Sequence, residues 1–301
     1  MSANFLQVDW SSEVADAARV LVQLAIIEDL AGQSDWTTKS LVLGDVQATA
    51  RIVPRSAGVL AGGPIVPLVL EEMQADVKVT DLTDDGELIV PGTAVGVMKG
   101  NGADLLTCER IMLNFLGRLS GVASLTRQYV DAVAGTSVSI YDTRKTTPGW
   151  RLLEKYAVQC GGGCNHRLGL HAAVMIKDNH IALACDQGIS LETALDQARA
   201  ALDKQNAPVE VFEVEVDSLD QLQTILPARP DIVLLDNMSP ATLRHAVDLR
   251  DRVAPDVVLE ASGGVNLETV ASIATSGVDR ISVGALTHSA GVLDLGLDWG
   301  E

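Results

Sequence analysis

The chain has 301 residues and a formal net charge of −18, from 22 Lys+Arg against 40 Asp+Glu. A hydrophobic content of 47% with 21% charged residues excludes a disordered chain, and the acidic balance excludes general nucleic-acid binding, which needs a basic face. At ~150 residues per domain the length suggests two domains, and with aromatics at only 3% their cores must be built from Ala, Val, Leu and Ile.

The N-terminus carries Asp9 and Glu13 and no basic-then-apolar run, so no signal peptide is read there. Ser12 to Leu30 predicts an amphipathic helix, with Val14, Ala18, Leu21 and Ala25 at helical spacing. From Ala48 to Lys99, short Val/Ile-rich runs alternate with Gly and Pro. The runs Ala50–Val53, Val77–Thr80, Leu88–Val90 and Ala94–Val97 predict a small antiparallel sheet, with Ile65–Met73 as an intervening helix. The longest apolar stretch, Ala57–Leu70, is broken by Pro64 and Pro67 and is shorter than the ~20 residues needed to span a bilayer, so no membrane partner is expected. Ala103–Ala134 predicts a long helix, bent near Gly117 or Gly121, that bridges two domains.

After Gly135 the rhythm becomes strand–helix alternation. Apolar runs fall at Val138–Tyr141, Ala173–Ile176, Val209–Val214, Ile232–Leu235, Val257–Leu259 and Arg280–Val283. Helix-length segments such as Leu191–Leu202, Leu219–Leu226 and Ala241–Asp251 lie between them. That pattern predicts parallel strands with right-handed crossovers, in an α/β barrel of six or seven units. An open doubly wound sheet is the competing architecture, but the first strand is followed by no G-x-G-x-x-G.

Between Thr143 and Lys177 the charge reverses. Arg144, Lys145, Arg151, Lys155, Arg167 and Lys177, with His166 and His171, face one acid, Glu154. Cations gathered inside an acidic protein suggest a pocket for a small, multiply charged anion. Arg151 and Lys155, on a helix after Pro148, read as a solvated face; Lys177, after an apolar run, does not. In a barrel, catalytic groups lie at the C-terminal ends of strands. Here those ends carry Asp142-Thr143-Arg144-Lys145, then Lys177-Asp178-Asn179-His180, Glu213 and Glu215, Asp236-Asn237, Glu260 with Ser262-Gly263-Gly264, and Val283-Gly284-Ala285. The glycines of the last two loops suit a phosphate, and Gly161-Gly162-Gly163 suits close backbone approach to a ligand. Glu215 and Asp236 suit Mg²⁺, ribose hydroxyls or a developing positive charge on a sugar carbon; Glu213 shares a strand face with Glu215, and spacing does not separate the two. Cys160-x3-Cys164-x-His166 invites a zinc reading, which its crowded spacing and missing fourth ligand disfavour. The four cysteines form no disulfide framework and read as reduced thiols of a cytoplasmic protein.

The sets Asp142–Gly149, Gly161–Arg167 and Ile176–His180 resemble the quinolinate phosphoribosyltransferase family, also called the decarboxylating nicotinate-nucleotide pyrophosphorylases. Glu28-Asp29 with Asp35-Trp36-Thr37-Thr38, Glu109-Arg110 with Leu113-Asn114 and Ser120-Gly121, and Glu213–Val216, Leu235–Asn237 and Ser262–Gly264 extend the resemblance over nearly the full length. Ala172 departs from it, since many members carry an acid there.

The resemblance implies a mixed α/β sandwich domain over residues 1–122 and an incomplete α/β barrel over 123–301, whose carboxy-terminal tail is free to pack back on the first domain. It implies a homodimer or larger homo-oligomer, in which the first domain caps the partner's barrel and Arg110 reaches across the interface. The implied reaction, in de novo NAD biosynthesis, converts quinolinate and phosphoribosyl pyrophosphate to nicotinate mononucleotide, pyrophosphate and CO2, with Mg²⁺ and no organic cofactor. Arg110, Arg144, His166, Arg167 and Lys177 would bind quinolinate, with Lys145 between the substrates and Thr143 among the substrate-binding residues. Glu215 and Asp236 would serve the ribose, and Ser262-Gly263-Gly264 with Val283-Gly284-Ala285 the 5′-phosphate. Lys145, Lys177, Glu215 and Asp236 are the catalytic candidates. Two other classes stay open on the residues alone: a lyase using Lys177 as a Schiff-base nucleophile, and a non-catalytic anion-binding protein.

Overall fold

A computed structural model describes residues 5–205, 208–209 and 211–300. In chain order the first elements are α1 (Ser12–Leu30), α2 (Trp36–Leu41), β1 (Gln47–Pro54), β2 (Gly58–Val59), α3 (Ile65–Glu72), β3 (Val77–Thr80), β4 (Leu88–Ile89), β5 (Gly96–Asn101) and α4 (Gly102–Ala132). There follow β6 (Ser139–Tyr141), α5 (Arg151–Cys160), β7 (Val174–Ile176), α6 (Asp178–Asp186), α7 (Leu191–Gln205), β8 (Phe212–Val216), α8 (Leu219–Ile225) and β9 (Ile232–Asp236). The chain ends with α9 (Pro240–Val253), β10 (Val258–Ser262), α10 (Val270–Ala274), β11 (Arg280–Ser282), α11 (Ala285–His288) and β12 (Leu295–Trp299). The run expected at Val209–Val214 forms its strand later, as β8 over Phe212–Val216, and position 210 lies outside the described residues.

These elements make two compact units, each assembled from three stretches of chain. Within the described residues one takes 8–127, 145–163 and 286–300, and the other 5–7, 128–144 and 164–285. The first holds an antiparallel sheet in the order β12-β1-β5-β3 and the short pair β2–β4. Ser11 caps α1 by accepting the Val14 amide, and the helix buries the stripe Val14, Ala18 and Val22 at i, i+4, i+8 spacing. Asp35 caps α2, a helix with no clear sequence period, by accepting the Thr38 amide. The core of this unit is aliphatic, with Ile52, Ile65, Val69, Met98, Leu105, Leu116 and Leu119 almost fully buried.

α4 runs without a break from Gly102 to Ala132, and its glycines are explained by contact. A Cβ at Gly121 would lie 1.9 Å from the Gly291 carbonyl oxygen, and one at Gly117 would lie 2.9 Å from that of Leu293. The same logic corrects the reading of Gly161-Gly162-Gly163. A Cβ at Gly161 or Gly163 would meet Thr126 at 2.6 or 2.7 Å, so these glycines let the turn after α5 lie against α4 rather than against a ligand. Lys155, expected on a solvated face of α5, is fully buried, because α5 turns its middle inward.

The second unit is a six-stranded, wholly parallel sheet in the order β6-β11-β10-β9-β8-β7. A doubly wound sheet reverses direction at a switch point. Here β7 to β11 run in sequence and β6 joins β11, which is the cyclic order of a barrel with one pairing missing, between β6 and β7. The segment after Gly163 occupies that seam. The Cys164 amide donates to the Ile140 carbonyl at 2.8 Å, its carbonyl accepts from the Asp142 amide at 3.0 Å, and Arg167 Nη1 donates to the Ala173 carbonyl at 3.0 Å. Phe5, Tyr141, Ala173, Val211 and Ile232 pack together as a buried apolar cluster. Among the described residues no helix is long and apolar enough to cross a membrane.

Candidate active site

The strand register lays out the chemistry of the parallel sheet. Pairings of Met175 with Glu213, Glu213 with Ile232, Glu215 with Leu234, and Asp236 with Ser262 place these residues on one face. Lys177 continues the alternation of β7 and meets Glu215 in an ion pair. Lys177, Glu215, Asp236 and Ser262 therefore converge at the C-terminal edge of one interior face. Beneath them on the same face lie Glu213 and Glu260, both fully buried. Exposure thus separates the two glutamates that spacing left equivalent: Glu215 is partly open and Glu213 is sealed.

Two guanidinium groups stand near this edge. Arg167 is 6% exposed, and its Nη2 contacts Met175 Sδ at 3.4 Å. Burial lowers its pKa, and so does the positive charge of Arg144 nearby; Glu213 and Glu215 oppose the shift only in part. The Nε atom of Arg144 is buried with no hydrogen-bond partner among the described residues. Two like charges held close, one of them with an idle buried donor, suit an anion with more than one negative group. Thr143 is half-buried immediately before Arg144. Ala172 is half-buried on the seam segment, its amide 3.4 Å from the Gly169 carbonyl.

His166 is oriented by four neighbours. Asp142, fully buried at the end of β6, accepts the His166 amide at 2.8 Å and Asn165 Nδ2 at 2.8 Å. The imidazole stacks on Phe5 with a centroid distance of 4.2 Å. Its Nε2 lies 3.3 Å from Glu213 Oε2 and 3.3 Å from Glu260 Oε1. Burial alone would lower the imidazole pKa, but Glu260 and Glu213 outweigh it and push it up to about 10. Burial pushes Glu213 above the usual carboxylate range. For Glu260 burial works the same way but is overcome by His166 and Arg280, which hold it low. The Arg280 guanidinium itself lies over the Tyr141 ring at 4.7 Å.

The late loops are tightly built. The Asn237 amide donates to the Ser262 carbonyl at 2.9 Å, and Asn237 Nδ2 donates to Asp236 at 2.7 Å. Gly263 has φ 91°, and a Cβ there would lie 2.2 Å from Asn237 Oδ1, so only glycine fits. Gly264 is exposed, with φ 60°. The Val283 amide donates to the Tyr141 carbonyl at 2.8 Å, and Gly284 and Ala285 follow half-buried.

Arg110 and Lys145 belong to the mixed-sheet unit, where both are exposed, Arg110 on α4. The loop that starts at Lys145 is anchored within that unit. Glu154, wholly buried, accepts from the Thr147 amide at 3.0 Å, from Thr147 Oγ1 at 2.8 Å and from two nitrogens of Arg118. Arg118 also donates to the carbonyls of Thr287 and Ala290, and Thr287 Oγ1 donates to the Lys145 carbonyl at 2.7 Å. Composition gave Glu154 only as the one acid in a basic stretch; its role needed the fold.

The zinc reading loses its histidine, whose Nδ1 accepts the Arg167 amide. His166 presents Nε2 to two carboxylates, and burial raises the thiol pKa of both Cys160, to about 12, and Cys164. All four cysteines are free thiols.

Residues 35–120 match the sequence model of the family described as quinolinate phosphoribosyl transferase, N-terminal domain, and residues 122–298 match the corresponding C-terminal domain. A nicotinate-nucleotide pyrophosphorylase [carboxylating] of Mycobacterium leprae is 45% identical over 285 residues, covering 94% of this chain and 97% of the relative. A mitochondrial quinolinate phosphoribosyltransferase [decarboxylating] of Nicotiana glauca is 36% identical over 292 residues, covering 92% of this chain and 80% of its own. The solved structure of the nicotinate-nucleotide pyrophosphorylase from Francisella tularensis superposes with a TM-score of 0.88 at 35% identity, covering 99% of this chain and 100% of that one.

Proposed function

The chain belongs to the quinolinate phosphoribosyltransferase family, and on that premise we propose that it joins quinolinate to phosphoribosyl pyrophosphate, releasing nicotinate mononucleotide, pyrophosphate and CO2 in de novo NAD biosynthesis. The observation that carries the reading is the pair Arg144 and Arg167, close enough to depress Arg167 and sharing an edge of the unit with Lys177. Quinolinate brings two carboxylates, and bidentate guanidinium contacts match them. Lys177, held by Glu215, orients the ring from the strand edge. Thr143 lines the same approach, and His166 acts from behind Arg167.

Glu215 and Asp236 face the ribose and stabilise the positive charge that builds on its anomeric carbon as pyrophosphate leaves. Ser262-Gly263-Gly264 and Val283-Gly284-Ala285 offer backbone amides to the 5′-phosphate. Lys145 holds the pyrophosphate. Carboxylate and pyrophosphate oxygens are hard donors that suit Mg²⁺, which when bound neutralises the leaving group's charge. The ring nitrogen, once ribosylated, is cationic and accepts the electron pair released as CO2 departs. A lysine, Lys145 or Lys177, returns the proton to that carbon, and no organic cofactor is called for. The active form is a homodimer at least, in the cytoplasm, with Arg110 serving the partner's site. The exposed apolar side chains Val20, Leu24 and Ile27 on α1 support such an association.

Mass spectrometry of a mixture of enzyme, quinolinate, phosphoribosyl pyrophosphate and Mg²⁺ tests the reading. Nicotinate mononucleotide and CO2 should appear in equal amounts. Binding of phosphoribosyl pyrophosphate with no release of pyrophosphate would mark an anion-binding protein instead.

A further inference from the structure

Glu213 and Glu260 have no place in the proposed chemistry, yet both are completely buried on the interior face below the site. Burying two acids side by side is costly unless they do something an apolar pair could not. Both face the same atom, His166 Nε2, at 3.3 Å. The other ring nitrogen, Nδ1, accepts the amide of Arg167 at 2.8 Å. The two acids favour a ring charged on both nitrogens. A proton on Nδ1, however, would leave no lone pair for the Arg167 amide, which donates to that atom. The contact therefore keeps Nδ1 bare and the ring proton on Nε2, between the two carboxylates. Had the proton moved to Nδ1, it would point at the Arg167 amide hydrogen and push the backbone of residue 167 away.

We infer that Glu213 and Glu260 are positioning residues, which lock His166 in its Nε2–H tautomer so that Nδ1 fixes the backbone from which Arg167 meets its anionic ligand. The inference rests on the proposed role of Arg167 in binding a dicarboxylate. The lock is anchored at every corner: Phe5 stacks on the ring, Asp142 holds the His166 amide, and β8 and β10 carry the two acids. The far end of Arg167 is tied to the Ala173 carbonyl, so the side chain has little freedom once its backbone is set. The segment it steadies also fills the missing pairing between β6 and β7, where no ladder would otherwise hold it.

The same three side chains offer one imidazole nitrogen and two carboxylates within 4.8 Å of one another, a set that could take a divalent cation. Charge counts against it. The Arg167 and Arg280 guanidinium groups already act on Glu213 and Glu260, so a dication would add to a positive charge this interior already carries.

The test couples nitrogen NMR of 15N-histidine-labelled enzyme to kinetics of Glu260→Gln and Glu213→Gln. In the wild type the His166 signals should be those of a bare Nδ1 and a protonated Nε2. Glu260→Gln should raise KM for quinolinate about tenfold, the loss of a hydrogen bond to a charged group, with KM for phosphoribosyl pyrophosphate changed less than about twofold. Glu213→Gln should raise it less. A protonated Nδ1 in the wild type, an equal rise in both KM values, or one equivalent of tightly held divalent metal in the purified protein would overturn the inference. The NMR result stands apart from the substrate. A correct tautomer in an enzyme that ignores quinolinate would refute the proposed reaction and leave the lock intact.

Discussion

Each unit hides its own buried acid system, and the two are built on opposite terms. In the mixed-sheet unit Glu154 takes hydrogen bonds from Thr147 twice and from Arg118 twice, and Arg118 also donates to two carbonyls. In the parallel-sheet unit Glu213 and Glu260 both turn to one donor, His166 Nε2, which lies 3.3 Å from each. A saturated buried ion pair is a fastening. An undersupplied one is kept poised, and its energy goes into orienting a neighbour rather than into holding the fold.

Breaking the fastening should give the largest effect. Glu154→Ala leaves Arg118 half-buried without its carboxylate and frees the Thr147 amide, so urea unfolding should show a loss of about 3–5 kcal/mol. Activity should fall with it, since the Lys145 loop loses its anchor. Glu213→Leu sharpens the contrast. Replacing an undersupplied buried acid by an apolar side chain of similar volume should cost less than about 1 kcal/mol, or stabilise, while quinolinate turnover declines. Equal losses of stability in the two variants would erase the distinction between the systems.

The smallest effect concerns a cap. Hydrogen bonds from the Thr38 hydroxyl and amide, with lesser help from Thr107, hold the Asp35 carboxyl below its ordinary value. A depressed folded-state pKa stabilises above the unfolded value and loses that stabilisation as pH falls through the folded one. Asp35→Ala should therefore cost about 1 kcal/mol at pH 7 and almost nothing in strong acid, read from denaturant midpoints across pH.

Much of this was legible in the residues alone. Strand–helix alternation after Gly135 pointed to the parallel sheet and put Lys177, Glu215 and Asp236 at strand ends, because alternation is a local property; that they share one face is set by the register between strands. What stayed hidden depended on contacts far apart in the chain. The glycines of α4 and of the turn after α5 looked like a bend and a ligand cradle, and only packing against residues 291–293 and Thr126 explains them. Lys155 looked solvated because its helix follows a wet loop, yet it is fully buried. β12 pairs with β1 across most of the sequence, a register no local pattern could reveal. Glu213 and Glu215 shared a face in the sequence, and depth alone parts them.

The central claim is that Arg144 and Arg167 form a receptor for two carboxylates on one small ring. Equilibrium titration of the wild type and of Arg144→Ala with quinolinate and with nicotinate, which lacks the second carboxylate, addresses it directly. The wild type should prefer quinolinate by at least about tenfold, equivalent to 1.4 kcal/mol, and Arg144→Ala should lose most of that preference. Equal affinity for the two acids in the wild type, or an undiminished preference in the variant, would contradict the account.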